Sequence, residues 1–276
     1  MIPPTSIDGT DITGATIDGT DVQEITVDGD VVFSAGGATI NNFPVAYSNL
    51  VAWYPFDSAF YGGSNADDVT AIAGGSGDDT AYDGTVSGAS YQSSGGADDL
   101  NAGAGSGFYS FDGSNDTIST PQIPIGNYSE ITLTAWVYYA NTSNVGYIVN
   151  IGSANPDDDI TLWVDSSMRV RMFEKINNNF DFAGFGSQSV FTGQWYHIAG
   201  VIEESGFIGT YTNGNLNTST NNMDNDFSDI DTPNIYIGSR DDQGNYTNAD
   251  IDDVRVYNTA LSQSQINSIY QNTDPN

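Results

Sequence analysis

The sequence contains no cysteine, and this absence excludes a disulfide framework and any metal site built from thiolates. Basic side chains are also scarce, because one Lys and four Arg stand against 36 Asp and Glu. A nucleic acid is therefore not expected as a partner, since phosphate binding requires a basic face. No apolar run approaches the length of a membrane-spanning helix, so we expect no membrane insertion.

The acidic excess gives a formal net charge of −31. Self-repulsion of this size is typical of disorder, but an aromatic content of 12% and periodic strands predict a packed core. In molar salt the Debye length falls to about 3 Å, and an acidic surface no longer repels itself. We therefore expect a halophilic source and a fold that depends on salt.

The first ten residues, MIPPTSIDGT, lack the charged and apolar regions of a secretion signal. A β-rich surface protein that starts in this way suggests a route to the outside through virion assembly and cell lysis. The expected location is therefore the surface of a virion.

A repeat with a period of ten fills the beginning of the chain, at residues 6–12, 16–22 and 26–32. Each copy has Asp-Gly directly after a β-branched Ile or Val, and Asp-Gly between strand-forming residues is the strongest short signal for a type I′ hairpin. One copy is too short to bury a core, so it must pair with other copies or with another protein. Residues 1–36 are interpreted either as a spacer of hairpins or as an anchoring and oligomerisation segment, followed by a linker over 37–46.

Two long runs, residues 131–139 and 194–202, alternate with a period of two and carry large side chains on both faces. They predict central strands covered on both sides. Shorter strand-like runs with turn residues between them continue to residue 257, and Ser262 can cap a helix with Ile266, Ile269 and Tyr270 on one face. We predict an all-β, antiparallel jelly-roll sandwich over residues 47–273, preceded by the hairpin segment.

Seven segments of this region occur in the order of a known family. They read LVAWYPFD (50–57), YSFDGSNDTI (109–118), ITLTAWVY (131–138), GQWYHIAGVI (193–202), YTNGNLN (211–217), IYIGSR (235–240) and IDDVRVYNTALSQSQINSIY (251–270). Their order resembles the laminin-G-like jelly roll of the concanavalin A-like lectin and glucanase superfamily. The run VQEITVDGDVVF (22–33) resembles short β-segments of tailed-virus structural proteins.

Glycosidases of the resembled superfamily carry a Glu-x-Asp-x-x-Glu strand, which supplies two carboxylates across the scissile bond. The five Glu residues of this chain never occur in that spacing. We therefore predict that the protein is not an enzyme.

The resemblance also implies a structural calcium ion where the early loop meets the last strand. The matching positions are Asp57, Asp83 and Asp252, and carboxylate oxygens are ligands that Ca²⁺ prefers. The alternative is that these are ordinary surface carboxylates of a halophilic protein.

The basic residues form the most unusual patch, because Arg169, Arg171 and Lys175 lie within seven positions. If aromatic side chains of neighbouring strands line the same sheet face, the result is an aromatic and guanidinium surface suited to uronic or sulfated glycans. The alternative is that the cations pair with nearby Asp and the aromatics are core. The predicted binding residues on this face are Trp136, Tyr138, Trp163, Arg169 and Arg171.

The loops 177–188 and 240–248 are a second candidate binding edge, with Phe180, Phe185, Arg240 and Tyr246 beside Asn and Gln side chains. Simple loop packing is the alternative. His197 has no second His or Cys nearby, so we interpret it as a packed strand residue.

The function predicted from these features is a surface protein of a haloarchaeal virus, such as a tail fibre, spike or turret. Its head would bind a host surface glycan or S-layer glycoprotein, and its N-terminal segment would bind other virion proteins. We expect a homo-oligomer, with a trimer favoured over a pentamer. The alternatives are a decoration protein that binds no receptor and a secreted halophilic glycan-binding module.

Overall fold

The structure of the chain is a computed structural model. It describes only the backbone of residues 16–17, 20–21, 24–27, 30–34 and 179–181. Both backbone and side chains are described over the ranges that make up the sandwich. Those ranges are 49–57, 65–68, 82–97, 107–152, 158–176, 182–183, 189–221, 227, 230, 233–240 and 245–271, with 272–273 described as backbone.

Two antiparallel strand pairs lie in the N-terminal repeat. Strand β1 (Thr16–Ile17) pairs with β2 (Thr20–Asp21), and β3 (Glu24–Val27) pairs with β4 (Asp30–Ser34). An Asp-Gly dipeptide of the repeat separates the two strands of each pair, as the hairpin prediction requires. The first copy of the repeat and the predicted linker 37–46 lie outside the described residues.

Sixteen further strands form the β structure of the residues described after position 48. In chain order they are β5 (Leu50–Tyr54), β6 (Asn65–Ala66), β7 (Gly84–Ser87), β8 (Ser90–Gln92), β9 (Phe108–Asp112), β10 (Thr117–Gln122), β11 (Glu130–Tyr138), β12 (Tyr147–Gly152), β13 (Asp159–Val164), β14 (Val170–Ile176), β15 (Asn179–Ala183), β16 (Trp195–Glu203), β17 (Ile208–Thr212), β18 (Asn215–Thr220), β19 (Asn234–Ile237) and β20 (Asn248–Tyr257).

These strands form two antiparallel sheets. The first sheet has the order β15-β14-β13-β12-β19-β10-β7-β6, and the second has the order β18-β17-β16-β11-β20-β9-β8, with β5 also paired to β20. Some neighbours in each sheet are distant in sequence, as β12 and β19 or β11 and β20 are, which is the crossed connectivity of a jelly roll. The all-β sandwich prediction is confirmed.

The hydrophobic core lies between the two sheets and takes inward side chains from both, such as Leu162 and Met172 from the first and Leu133 and Ile198 from the second. The sheets approach closely at Gly200, where an added Cβ would lie 2.5 Å from the Met172 sulfur. The two runs predicted to be central strands are β11 and β16, which pair with each other and are buried through seven consecutive residues each.

A C-terminal helix, α1 (Gln263–Thr273), covers part of the outer face of the second sheet. Its first turn is capped as the sequence predicts, since the Ser262 backbone N–H donates to Gln265 Oε1 and the Gln265 N–H donates to Ser262 Oγ. Ile266 and Ile269 pack in a second hydrophobic cluster that also contains Trp53 and Tyr211. Across the described residues, no helix combines the length and the apolar character needed to cross a membrane.

Three local outcomes differ from, or refine, the sequence prediction. Strand β5 ends at Tyr54, directly before Pro55, as the missing N–H of proline requires. The segment 109–118 is divided between β9 and β10 by a turn after Asp112, where Gly113 has a φ of 80°. Residues 179–183, predicted to lie in a loop, form the edge strand β15 against β14.

Candidate functional site

The outer face of the first sheet carries a group of aromatic side chains that is not part of the hydrophobic core. Trp163 lies between two inward residues of β13, so its own side chain is on the outer face. It stands opposite Arg171 of β14 and Tyr147 of β12. The ring centroids of Trp163 lie 5.4 Å from Tyr147 and 5.5 Å from Phe173. Phe173 is buried beneath its neighbours, whereas Trp163 and Tyr147 are partly exposed. We refer to this surface, with the polar residues described next, as the aromatic–polar face.

A hydrogen-bonded polar network lies beside the rings, on the same face. The Asn150 amide donates to Asp159 Oδ1 over 3.1 Å and to Thr161 Oγ1 over 2.7 Å, and all three side chains are buried. Arg240 donates through Nε to Asp159 Oδ2 over 2.9 Å and forms an ion pair with it. Gly152 makes room for this network, because an added Cβ would lie 2.6 Å from Asp159 Oδ1 and 2.7 Å from Asn150 Oδ1.

A second ion-paired group borders the rings. Arg169 and Arg171 both donate to Asp165 Oδ2, over 2.9 and 2.7 Å. Burial by itself would raise the pKa of Asp165, but the two guanidinium groups and two backbone N–H donors hold that pKa below its ordinary value. The Arg171 guanidinium also lies 5.9 Å from the centre of the Phe182 ring. The alternative in which these cations pair with a nearby Asp is therefore observed.

The structure places the predicted binding residues on two different sheets. Trp163, Arg169, Arg171 and Arg240 belong to the first sheet or its adjoining loops, where they share the aromatic–polar face or its border. The prediction that Trp136 and Tyr138 share this face is wrong, because β11 lies in the second sheet. Sequence alternation shows which residues share one face of a strand, but not which sheet the strand joins.

Trp136 is unsuitable for binding because α1 covers it: its side chain is 1% exposed and lies 5.7 Å from the Tyr270 ring. Tyr138 is partly exposed on the second sheet, where its ring lies 5.8 Å from that of Trp195. Trp195 contacts Phe108 as well, and its indole N–H donates to the Gly95 carbonyl. These three rings form a separate patch on the opposite sheet.

The predicted loop residues are only partly within the described structure. Phe180 stands opposite Lys175 in the pairing of β15 with β14, and its side chain lies outside the described residues, as does all of Phe185. Tyr246 is partly buried, next to the buried Thr247. Whether these three residues bind a ligand stays a prediction.

The predicted metal ligands fall into two groups. Asp57 and Asp252 are both fully buried, and burial together with the charges of Asp253 and Asp57 raises the pKa of Asp252 well above its ordinary value. Two non-glycine residues with positive φ flank this pair, Phe56 at 57° and Asp253 at 44°. Such backbone strain is found at functional sites in many proteins.

Asp83, in contrast, accepts a hydrogen bond from the Asp68 backbone N–H. Asp253 pairs with Arg255 and the Trp53 indole, so it is also engaged elsewhere. Within the described ranges no group of three or more His, Cys, Asp or Glu side chains is arranged to hold a metal ion. Asp57 and Asp252 could contribute carboxylate ligands to a calcium ion, but a full ligand set is not observed there.

His197 is a packed strand residue, as predicted. Its ring is fully buried between Trp136 and Tyr270, 5.5 and 6.4 Å away. Burial and the nearby Arg255 guanidinium lower the pKa of His197 to about 3, so the ring is neutral.

Sequence reasoning missed most of the aromatic–polar face. The residues that it did not select are Tyr147, Asn150, Asp159, Thr161 and Phe182. One signal was available, since β13 and β14 alternate inward residues with large aromatic or polar ones.

The two antiparallel sheets and their crossed strand order place this chain among the jelly-roll β-sandwich proteins. Residues 112–267, more than half of the chain, match the model of a family described as the concanavalin A-like lectin/glucanases superfamily. The chain belongs to this superfamily. None of the curated proteins compared with the chain matches it in sequence.

Several solved structures share the fold. Domain 4 of AbnA, a GH43 extracellular arabinanase from Geobacillus stearothermophilus in complex with arabinotriose, superposes with a TM-score of 0.56 at 20% identity, over 81% of this chain and 98% of that one. The botulinum neurotoxin serotype D binding domain gives 0.58 at 14% identity, over 82% of this chain and 52% of that one. Trypanosoma rangeli sialidase gives 0.57 at 17% identity, over 82% and 33%. At these identities the similarity establishes the fold alone.

Proposed function

We propose that the protein is a non-enzymatic glycan-binding protein whose ligand lies on the aromatic–polar face. The observation that carries the proposal is the partly exposed Trp163 ring beside a network of Asn150, Asp159 and Arg240. Sugar rings present apolar C–H surfaces that pack on aromatic rings, and their hydroxyl groups both donate and accept hydrogen bonds. Such sites combine an apolar platform with a few fixed polar groups.

The comparisons support this assignment at the level of the superfamily, since one neighbour was solved with arabinotriose bound. The same fold also occurs in a sialidase, so the fold by itself does not decide between binding and catalysis. The lack of Glu-x-Asp-x-x-Glu spacing supports a binding role. An assay for release of reducing sugar from glycans that the protein binds would detect hydrolysis, and we expect none.

The test is glycan binding by the full chain in molar salt, compared between Trp163→Ala and Trp195→Ala. Both tryptophans are partly exposed strand residues with two aromatic neighbours, but they lie on opposite sheets. We expect a loss of at least about tenfold in affinity for Trp163→Ala, in line with a central aromatic contact, and little change for Trp195→Ala. Equal binding by wild type and Trp163→Ala would contradict the proposal.

The wider role that we propose is attachment of a halophilic virus to its host through a surface glycan or S-layer glycoprotein. The charge of −31 supports a saline environment, and the two strand pairs of the repeat support an N-terminal segment built for assembly. Several heads on one particle would strengthen weak single-site binding through avidity. Saturable binding to intact haloarchaeal cells, lost in Trp163→Ala, is the expected result; absence of binding by folded wild type would favour a decoration role.

We also propose that calcium binds at Asp57 and Asp252 as a structural ion. Two buried carboxylates whose charges repel each other are stabilised by a divalent cation. Calcium should then raise the thermal unfolding temperature of wild type more than that of Asp252→Asn, with magnesium as the comparison ion. An equal response of the two proteins would contradict this proposal.

A further inference from the structure

The basic residues of this acidic chain concentrate on one sheet. Four of the five, Arg169, Arg171, Lys175 and Arg240, lie on β14 or in loops beside the aromatic–polar face. This distribution alone would favour an acidic ligand, because it marks the least negative surface of a chain with a net charge of −31. The contacts of the guanidinium groups lead to the opposite conclusion.

Every guanidinium on this face already donates to a carboxylate of the chain. Arg169 and Arg171 share Asp165 Oδ2, with ion-pair distances of 2.8 and 2.7 Å. Arg240 is paired with Asp159, which also stands opposite Lys175 in the pairing of β13 with β14. Each of the three guanidinium groups is therefore held by a carboxylate, and two aspartates serve the four cations of this face.

An acidic sugar could bind the Nε–Nη2 edge of these guanidinium groups only by displacing the carboxylates that occupy it. The Asp159 side chain is 1% exposed and the Asp165 side chain 10%. Displacement would leave a buried carboxylate without its partner, which is strongly unfavourable. A carboxylate or sulfate on the ligand would also lie next to the displaced aspartate, and like charges repel.

A neutral sugar meets no such obstacle. A hydroxyl group donates to a carboxylate and accepts from a guanidinium, so it can bond at the edge of an ion pair without separating it. The Arg240 side chain is 22% exposed and offers such an edge beside the buried Asp159. Trp163 lies four residues along β13 from Asp159, and together with Tyr147 it provides an aromatic surface on the same sheet face.

Building on the proposed function, we propose that the aromatic–polar face selects uncharged glycans and discriminates against uronic, sialic and sulfated ones. The aspartates act as the selecting groups, since they occupy the arginines that would otherwise receive an acidic sugar.

The experiment measures binding of the full chain, in molar salt, to pairs of oligosaccharides that differ only by one carboxylate or sulfate group. We expect the neutral member of a pair to bind at least about tenfold more tightly than the charged member. Tighter binding of the charged member would overturn this inference and leave the proposed function in place. Binding of neither member by folded protein would overturn both.

Asp165→Asn provides a second arm. Asparagine keeps the Oδ1 acceptor for the backbone N–H groups of Ser167 and Arg169, but it releases the two guanidinium groups from their shared charge. We expect this variant to lose most of the discrimination against the charged member, whereas Asp250→Asn on the second sheet should keep it. Unchanged discrimination in folded Asp165→Asn would contradict the role of Asp165. If that variant does not fold, the paired comparison on wild type still decides the inference.

Discussion

Each of the four arginines forms an ion pair with an aspartate, and the burial of the pair decides whether the arginine contributes to the core or to a surface. Arg255, on the second sheet, pairs with Asp253 and lies 4.7 Å from the Trp53 ring, where it is almost fully buried. The other three border a partly exposed face. Arginine therefore takes part in the buried packing of the second sheet and in the partly exposed outer face of the first sheet.

Gly152 is a position where a single added methyl group should affect both glycan binding and stability. We expect Gly152→Ala to weaken glycan binding by about tenfold or more, because its Cβ would displace Asp159 and Asn150 from their network. Overpacking of this kind also destabilises the fold by about 1–3 kcal/mol. Isothermal titration with a bound glycan would measure the first effect and chemical denaturation the second.

Gly146→Ala is the matched control for that change. An added Cβ there meets its nearest atoms at 3.8 Å, an ordinary contact, and Gly146 lies one residue before β12. Binding should stay within about twofold of wild type. A similar loss in both variants would show that backbone flexibility, not the polar network, determines the effect.

His197 makes the stability of the protein depend on pH. Its folded pKa is about 3, below the ordinary value of about 6.5 expected in the unfolded chain. Between these values the unfolded chain binds a proton that the folded chain does not, so stability falls as pH falls through this window. We expect the unfolding free energy of wild type to decrease by up to about 1.4 kcal/mol per pH unit more than that of His197→Gln.

The measurement is denaturant unfolding in molar salt at several pH values from neutral to about 4. The comparison uses slopes, so a constant loss of stability in the variant does not affect it. Parallel pH profiles for the two proteins would contradict the burial of a neutral imidazole.

At the scale of single elements, α1 contributes to stability by covering the second sheet. Ile266 is fully buried against this sheet, and we expect Ile266→Ala to lower the unfolding free energy by about 2–4 kcal/mol. Gln271→Ala, at an exposed position of the same helix, should change it by less than about 0.5 kcal/mol. Urea denaturation monitored by circular dichroism would show the difference, and equal midpoints would contradict the packing role of α1.

The elements differ in how well the sequence predicts them. Strands β11 and β16 were predictable because each is a nine-residue run rich in large side chains on both faces, which is typical of a central strand. Strand β15 was missed because its five residues lie in an Asn-rich run that is typical of a loop. Only the pairing with β14 makes this segment a strand, and the sequence does not show that pairing. Helix α1 was predicted with its cap, since Ser262 is a local signal for the start of a helix.

The candidate site was less predictable, for a physical reason. Trp136 and Trp163 have similar strand contexts, but one lies beneath a helix and the other on an open face of the opposite sheet. Pairing between strands distant in sequence decides this difference, and no local pattern encodes it. Arg171 and Trp163 were selected correctly as neighbours on one face, whereas Asn150 and Asp159 give no local sign of their network.

At the scale of the whole molecule, the acidic excess should make the fold depend on salt. A net charge of −31 destabilises a compact chain when the Debye length is long, about 30 Å at 0.01 M salt. We expect partial unfolding on dialysis from molar to millimolar salt, visible as loss of β-sheet circular dichroism. An unchanged spectrum would contradict the halophilic assignment.

The distribution of the four tryptophans provides a built-in optical reporter. Trp53 and Trp136 are buried on the second sheet, Trp163 lies on the aromatic–polar face, and Trp195 lies on the opposite outer surface. Fluorescence from the first two should follow unfolding, while collisional quenchers should reach mainly the other two. A ligand on the aromatic–polar face should therefore protect part of the quenchable emission, and Trp163→Phe should remove that protected part while Trp195→Phe retains it.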